Sequence, residues 1–411
     1  MNRPAHVALR GALGRGSGPM TSRPVPTDPA HVEVQLHVEP APDLLARWDR
    51  LVTSATGTDV TQLSVWARVR ALEGFRSTYL FAHRGCHLVG GAQVLLRHVR
   101  GLGEIGYVAY GPIVDSDDTA AAPALARALA TLTGVRVLFV QPPEGGHDAR
   151  RALLEHGFRP SSAGIAPTGS VRLDLTASEE DILSRWPARQ RAWTRRWARE
   201  GVTVRQGDER DIDLLAQLMA AAADARGYAR PPRPEYLRHL YDELSRTGNV
   251  ALFIGEVRGV PTTADLVTMC GTTVRGRLCG FDRSGDGGKL LVPAATRWEI
   301  IRWAKRTGYR WFDFGGLSEQ VLADAVDAGV TSSKDWPGPD QAKLRYGGVP
   351  FRYPGPVELI RPRLLRQVYD AANGCAWGRA QLRRAQVQLR SRRQPPPPRP
   401  TARPQEREGR R

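Results

Sequence analysis

An internal duplication constrains this chain more than any other feature. Two segments overlay at an offset of about 173 residues, a period that belongs to repeated domains rather than to a solenoid. In the first segment, an apolar run at 79–82 leads through Arg84-Gly85 to strands at 93–96 and 107–110. A helix at 122–131, Gly134 and a strand at 135–140 complete it. In the second, 251–255 leads through Arg258-Gly259 to strands at 266–269 and 277–281. A helix at 293–306, Gly308 and a strand at 310–314 follow in the same order. Gly134 and Gly308 read as helix C-caps, because glycine enters the left-handed region without steric cost. Hairpins followed by a helical crossover predict a mixed sheet covered by helices, made twice: an α+β fold. The expected limits are a disordered segment over 1–30, one domain over 31–170, a second over 171–361, a helix over 362–390 and a disordered basic tail over 391–411.

The 411 residues are long enough for two cores, and 41% apolar content with ten Trp supports folded domains. The longest apolar runs, such as 250–254, fall far short of the roughly 18 to 20 residues that a membrane helix needs. The start of the chain lacks the apolar core of a secretory signal. Four cysteines, at 86, 270, 279 and 375, show no Cys-x-x-Cys spacing. His83, Cys86 and His87 lie close together without a second cluster to supply a fourth ligand, so no metal site is expected. The cytosol is the expected compartment. The net charge of +17, with Arg and Pro concentrated after Arg379, points to polyanionic partners: RNA phosphates or the inner face of an anionic membrane.

Between the two halves, 185–199 reads as a helix that starts near Pro187 and stops at Gly201. Trp186, Trp193 and Trp197 share a face directed to the core, and Arg191, Arg195 and Arg199 form an adjacent stripe. Planar guanidinium groups suit phosphates and stacked bases, so this stripe is a candidate RNA surface. Gly101-Leu-Gly103-Glu-Ile-Gly106 matches a dinucleotide fingerprint only formally, since a strand rather than a helix follows it. No Ser-His-Asp or Cys-His set at convincing spacing appears, so a covalent acyl-enzyme is not suggested.

Tyr309 to Tyr353 holds Asp313-Phe-Gly-Gly316 and then Ala342-Lys-Leu-Arg-Tyr-Gly-Gly348, a lone Lys343 set between two glycine pairs. This pattern resembles the end of the FemX/FemA/FemB (FemABX) family of aminoacyl-tRNA-dependent peptidyltransferases, in its short FemX-like form. The resemblance extends over nearly all of 31–361 and implies two tandem GNAT-like acyltransferase domains. It departs from the family at Ala342, where an aromatic is usual, and at Phe281, which lacks the hydroxyl of nearby family tyrosines.

By that resemblance Lys343 stabilises an oxyanion, and Asp115 is a candidate proton acceptor. Arg70, in the Gln62–Arg70 helix, and Arg226, in Arg226-Gly-Tyr228, would meet substrate phosphates. Tyr107 and Asp115 would line the acceptor cleft, and Tyr228 and Phe281 would be further substrate contacts. The implied reaction moves an amino acid from aminoacyl-tRNA, a co-substrate with no further cofactor, to the peptide amine of a peptidoglycan precursor, lipid II or a UDP-muropeptide. An interpeptide bridge in the cell wall results. Three alternatives stay open: transfer from tRNA onto a peptide-like secondary metabolite, an acyl-CoA-dependent GNAT N-acyltransferase, and a non-enzymatic RNA or membrane adaptor.

Overall fold

The computed structural model describes residues 31–382, apart from 117, 119, 226–230 and 283. The expected terminal segments 1–30 and 391–411, the end of the expected C-terminal helix, and both Arg226 and Tyr228 lie outside the described residues. Among those described, the chain up to Arg363 forms one compact unit and the residues from Leu364 another.

The first half runs β1 (Val32–His37), α1 (Pro42–Ser54), α2 (Ser64–Ala71), β2 (Arg76–Arg84), β3 (His87–Val99), β4 (Gly103–Ala109) and a short β5 (Ile113–Val114). It continues with α3 (Ala121–Ala130), β6 (Val135–Gln141), α4 (His147–Glu155), β7 (Arg159–Pro160) and β8 (Gly169–Asp174). After α5 (Glu179–Ser184) and α6 (Ala188–Thr194), the order repeats as β9 (Val202–Gly207), α7 (Ile212–Asp224), α8 (Pro234–Ser245), β10 (Val250–Val257), β11 (Val260–Cys270) and β12 (Thr273–Phe281). A one-turn α9 (Asp286–Lys289), α10 (Val292–Arg306), β13 (Trp311–Gly316), α11 (Glu319–Leu322), α12 (Gly338–Leu344), β14 (Val349–Arg352) and β15 (Val357–Ile360) close that unit, and α13 (Arg363–Gly374) follows.

The duplication is real at the level of strand order. The first sheet reads β1-β2-β3-β4-β6-β15-β7, and the second reads β9-β10-β11-β12-β13-β8-β14. Each is antiparallel until its helical crossover, where β4 meets β6 and β12 meets β13 in parallel. These are two GNAT-like domains in one mixed α/β chain. Gly308 follows the cap of α10 with a φ of 92°, as expected, whereas α3 ends at Ala130 with Thr131 as its cap, and Gly134, φ 78°, sits instead in the turn into β6.

The halves exchange their last strands. β8 enters the second sheet between β13 and β14, while β15, at the end of the stretch expected as the second domain, crosses back and pairs with β6 and β7. Periodicity marks a strand but not its neighbour, so the return of β15 to the first sheet was invisible in the sequence. The exchange ties the two sheets together. A buried core shared by α1, α2, α7 and α8, from Trp48 and Trp66 to Leu240 and Leu252, lies between them.

Two expectations are corrected locally. Regular helix in the joint segment ends at Thr194, and a turn carries Trp197 into the core, where its indole donates 2.8 Å to the Leu290 carbonyl. Trp186 is buried in the same cluster and Trp193 packs against it, so the tryptophan face does point inward. β4 stops at Ala109 rather than Tyr110, which takes a φ of 56° and lays its ring 4.9 Å from that of Tyr353.

Candidate active site

The two crossovers differ at the point where a GNAT-type sheet can open. β4 and β6 remain paired from Glu104–Val135 to Ala109–Gln141. β12 and β13 pair only from Thr273–Trp311 to Arg275–Asp313 and then part. β12 follows β11 to Phe281, whereas β13 turns through Gly315 toward β8. The fork opens into a cleft of about 920 Å³.

A buried charge network holds the apex of the fork. Arg275, at the last paired position, donates to Asp313 at 3.1 Å, to the Tyr353 hydroxyl at 2.6 Å and to Asp59 at 2.6 Å. Asp59 precedes α2 in the first domain, so this ion pair joins the two halves. Burial alone would raise the Asp59 carboxyl, but Arg275 and Arg277 outweigh it and hold it below the usual carboxylate range. Asp313 also accepts from the Gly315 amide at 2.8 Å and from the Ser170 hydroxyl, fixing the bend where β13 leaves β12. In Asp313-Phe-Gly-Gly316, the acid is a structural pin.

The second glycine motif interlocks with the first. Phe314 stacks on Tyr346, ring centroids 5.2 Å apart, and Tyr346 meets Trp186 edge-on. Burial pushes the Tyr346 phenol well above its ordinary value, so it stays neutral. A Cβ at Gly347 would fall 2.5 Å from that of Arg185, and one at Gly316 would fall 2.4 Å from that of Pro167. Both positions need glycine because neighbouring chain passes too close.

Lys343, on α12, lines the cleft with Phe281 and with Phe314 to Gly316. Its ammonium donates to the Gly316 carbonyl, lies 3.5 Å from Asp340, and is partly open to the cleft. Three N–H donors leave capacity for a ligand oxygen beside these two partners. Asp115 lies elsewhere. It lines a separate cavity of about 640 Å³ with Pro112, Asp118 and Glu144, and that cavity shares no lining residue with the Lys343 cleft.

Arg70 and Tyr107 line neither cavity. Arg70 is paired with Glu73 and stacks 4.5 Å over Phe75; Tyr107 stacks 5.8 Å from Phe139 and meets Phe75 edge-on. Gln62 is a structural residue, its amide spanning the Ala109 carbonyl and the Gln93 amide. Arg191, Arg195 and Arg199 are exposed, and Arg191 donates at 2.8 Å to the Ser184 and Trp186 carbonyls. Their neighbour Gln190 reaches the cleft lining.

Sequence reasoning missed a charged pair in the cleft lining, Asp265 of β11 and Arg297 of α10, joined at 3.0 Å. The available signal was an acid inside the buried run Ala264–Val267, and an arginine on the helix face of Ala294 and Trp298. It also missed a glycine-rich turn, Gly285-Asp-Gly-Gly288, between β12 and α10. Gly288 and the first turn of α10 line the cleft, the context in which a glycine-rich loop meets phosphate.

The Acetyltransferase (GNAT) domain family matches residues 188–321, which include the fork. The lipid II:glycine glycyltransferases of Staphylococcus aureus strains RF122 / ET3-1 and MRSA252 are each 25% identical over 220 residues, 50% of this chain and 52% of theirs. The chain thus spans about half the length of the relatives it matches. A crystal structure of FemX superimposes with a TM-score of 0.69 and 18% identity, over 79% of this chain and 98% of that one, a likeness of fold. Fold and cleft define a protein with tandem GNAT-like domains in which one sheet is open. Within that class, the chain is similar in fold to FemX and, over half of its length, in sequence to the lipid II:glycine glycyltransferases.

Proposed function

We propose that this protein is an aminoacyltransferase that moves an amino acid from aminoacyl-tRNA to the peptide amine of a peptidoglycan precursor, lipid II or a UDP-muropeptide, building an interpeptide bridge. The observation that carries this reading is the forked sheet, with a cationic Lys343 at its open end, in a chain whose sequence relatives are named lipid II:glycine glycyltransferases. An aminoacyl ester is already activated, so holding an amine in line with its carbonyl supplies much of the rate. The amine nitrogen attacks the ester carbonyl, the C–N bond forms, and the bond to the ribose oxygen breaks. Lys343 stabilises the intermediate oxyanion. The amine's proton ends on the departing ribose oxygen, directly or by way of a carboxylate. Asp115 serves as that carboxylate only if a substrate spans both cavities.

The exposed arginines at 191, 195 and 199, beside the cleft residue Gln190, support contact with the tRNA end. Arg70 and Tyr107, with Arg226 and Tyr228, are the proposed acceptor contacts. Among the described residues no helix is long and apolar enough to cross a membrane. Taken by itself, the unit from Leu364 exposes Leu364, Val368 and Trp377, which supports peripheral contact with an anionic membrane surface from the cytosolic side.

A second reading, an acyl-CoA donor, is favoured by the glycine-rich turn before α10. Mass spectrometry of a reaction with charged tRNA and either precursor decides between them. A gain of one amino acid that RNase abolishes supports the first reading; a gain only with acyl-CoA establishes the second.

A further inference from the structure

Two buried polar atoms in the cleft lining have no partner among the described residues. They are one carboxylate oxygen of Asp265, Oδ2, and one guanidinium nitrogen of Arg297, Nη1. Asp265 is only 2% exposed, and its Oδ1 is already occupied by Arg297. A buried carboxylate oxygen without a donor is costly, and folded proteins rarely leave one unless a ligand or solvent completes it. The side-chain amide nitrogen of Gln190, on the same cleft, is likewise unpartnered.

The surroundings are built to keep these atoms in place. Arg297 lies against β12 at Gly276, where a Cβ would come within 3.0 Å of Nη1, and its guanidinium faces the Phe312 ring at 5.6 Å. Asp265 stands in a strand paired on both sides, opposite Phe253 and Cys279. Burial works against the charge on Arg297, but Asp265 outweighs it, so the guanidinium is held above its ordinary value and stays charged. The cleft floor therefore presents a fixed acceptor beside fixed donors.

We infer that Asp265 and Arg297 form a subsite for the head of the transferred amino acid, Asp265 Oδ2 accepting from its α-ammonium group and Arg297 Nη1 donating to its carbonyl oxygen. This rests on the reading of the cleft as the aminoacyl donor site, and deepens it. An α-aminoacyl group carries a donor nitrogen and an acceptor oxygen three bonds apart, a pairing of the same two kinds as the open positions. A plain acyl group offers nothing to Oδ2, so filling the cleft with one leaves a buried carboxylate oxygen unpaired. The subsite thus selects an amino acid over a simple acyl chain, and a free amine over an acylated one.

The test uses hydrolysis-resistant donors: 3′-amino-3′-deoxyadenosine carrying glycine or alanine through an amide, each with its N-acetyl counterpart. Calorimetry on the full chain is expected to show the free amines bound at least about tenfold more tightly, the value of one charge-assisted hydrogen bond to a buried carboxylate. In Asp265→Asn, with its fold checked by near-ultraviolet circular dichroism, this preference is lost. If that variant does not fold, the comparison in the parent protein decides alone. Equal binding of free and acetylated donors overturns the subsite and leaves the transferase reading standing. Binding of neither donor, with binding of coenzyme A instead, overturns both.

Discussion

The two sheets of this molecule share a strand order and differ at one seam. In the first, β4 and β6 stay zipped to their ends; in the second, β12 and β13 part after three paired positions. Gly106 and Gly276, each the fourth residue of its strand, show what the difference means locally. A Cβ at Gly106 would press on Leu138 at 2.8 Å inside a closed apolar seam, whereas one at Gly276 would meet a cleft-lining guanidinium. A duplicated fold has kept the crossover seam closed in one copy and opened it in the other. At the open seam a cleft, the unpartnered atoms of Asp265 and Arg297 and the Lys343 cation come together.

The largest expected effect comes from removing that cation. Lys343→Ala is expected to lower single-turnover transfer by about 10² to 10³-fold while leaving the melting temperature near that of the parent. Equal turnover would remove Lys343 from the mechanism. Next come the paired glycines, which set one sheet against the other. Gly276→Val should displace Arg297 and cut kcat/KM by up to about 10²-fold through misplaced substrate. Gly106→Val should instead overpack the closed seam and lower stability by about 1–3 kcal/mol, read in a denaturant titration. If both substitutions act alike on activity and stability, the contrast between the sheets is wrong.

The pin between the halves follows. Asp59→Ala leaves Arg275 without one of its buried partners, a loss of about 3–5 kcal/mol by the usual cost of breaking such a pair. Because the Asp59 carboxyl is held below its unfolded value, its contribution is fully present above about pH 4 and is lost as pH falls through the folded value. Stability measured from pH 6 to pH 3 should therefore fall less steeply in the variant; parallel curves would show that Asp59 does not supply this acid sensitivity. The smallest effect is expected at Arg70, already satisfied by Glu73 and the Phe75 ring. Arg70→Ala should raise KM for a phosphate-bearing acceptor by several-fold, about 1 kcal/mol, and leave a dephosphorylated acceptor unaffected. Equal changes would sink the phosphate assignment.

Much of this architecture was legible in the sequence. Apolar runs, helical crossovers and the glycines that follow the two crossover helices sufficed to expose the duplicated domains, because each is a local signal, although only Gly308 stands directly after a helix cap. The Lys343 motif pointed to the open cleft by its glycine pairs, which the structure shows are required by close passage of neighbouring chain at Gly316 and Gly347. The return of β15 to the first sheet was not legible, since no side-chain pattern names a strand's partner. Nor was the Asp265–Arg297 pair, whose members are 32 positions apart and meet only when α10 packs on the sheet. Asp115 and Lys343 looked like partners in one reaction on the strength of a resemblance, yet they line different cavities. Trp197 marked the correct face of a helix that had already ended, because burying its indole against Leu290 required a turn.

The most direct test of the central claim is a crystal structure of the full chain with a hydrolysis-resistant aminoacyl-adenosine amide bound. The account predicts density for the aminoacyl group between β12 and β13, with its carbonyl oxygen within hydrogen-bonding reach of Lys343. Density in the Asp115 cavity instead, with the fork empty, would contradict it.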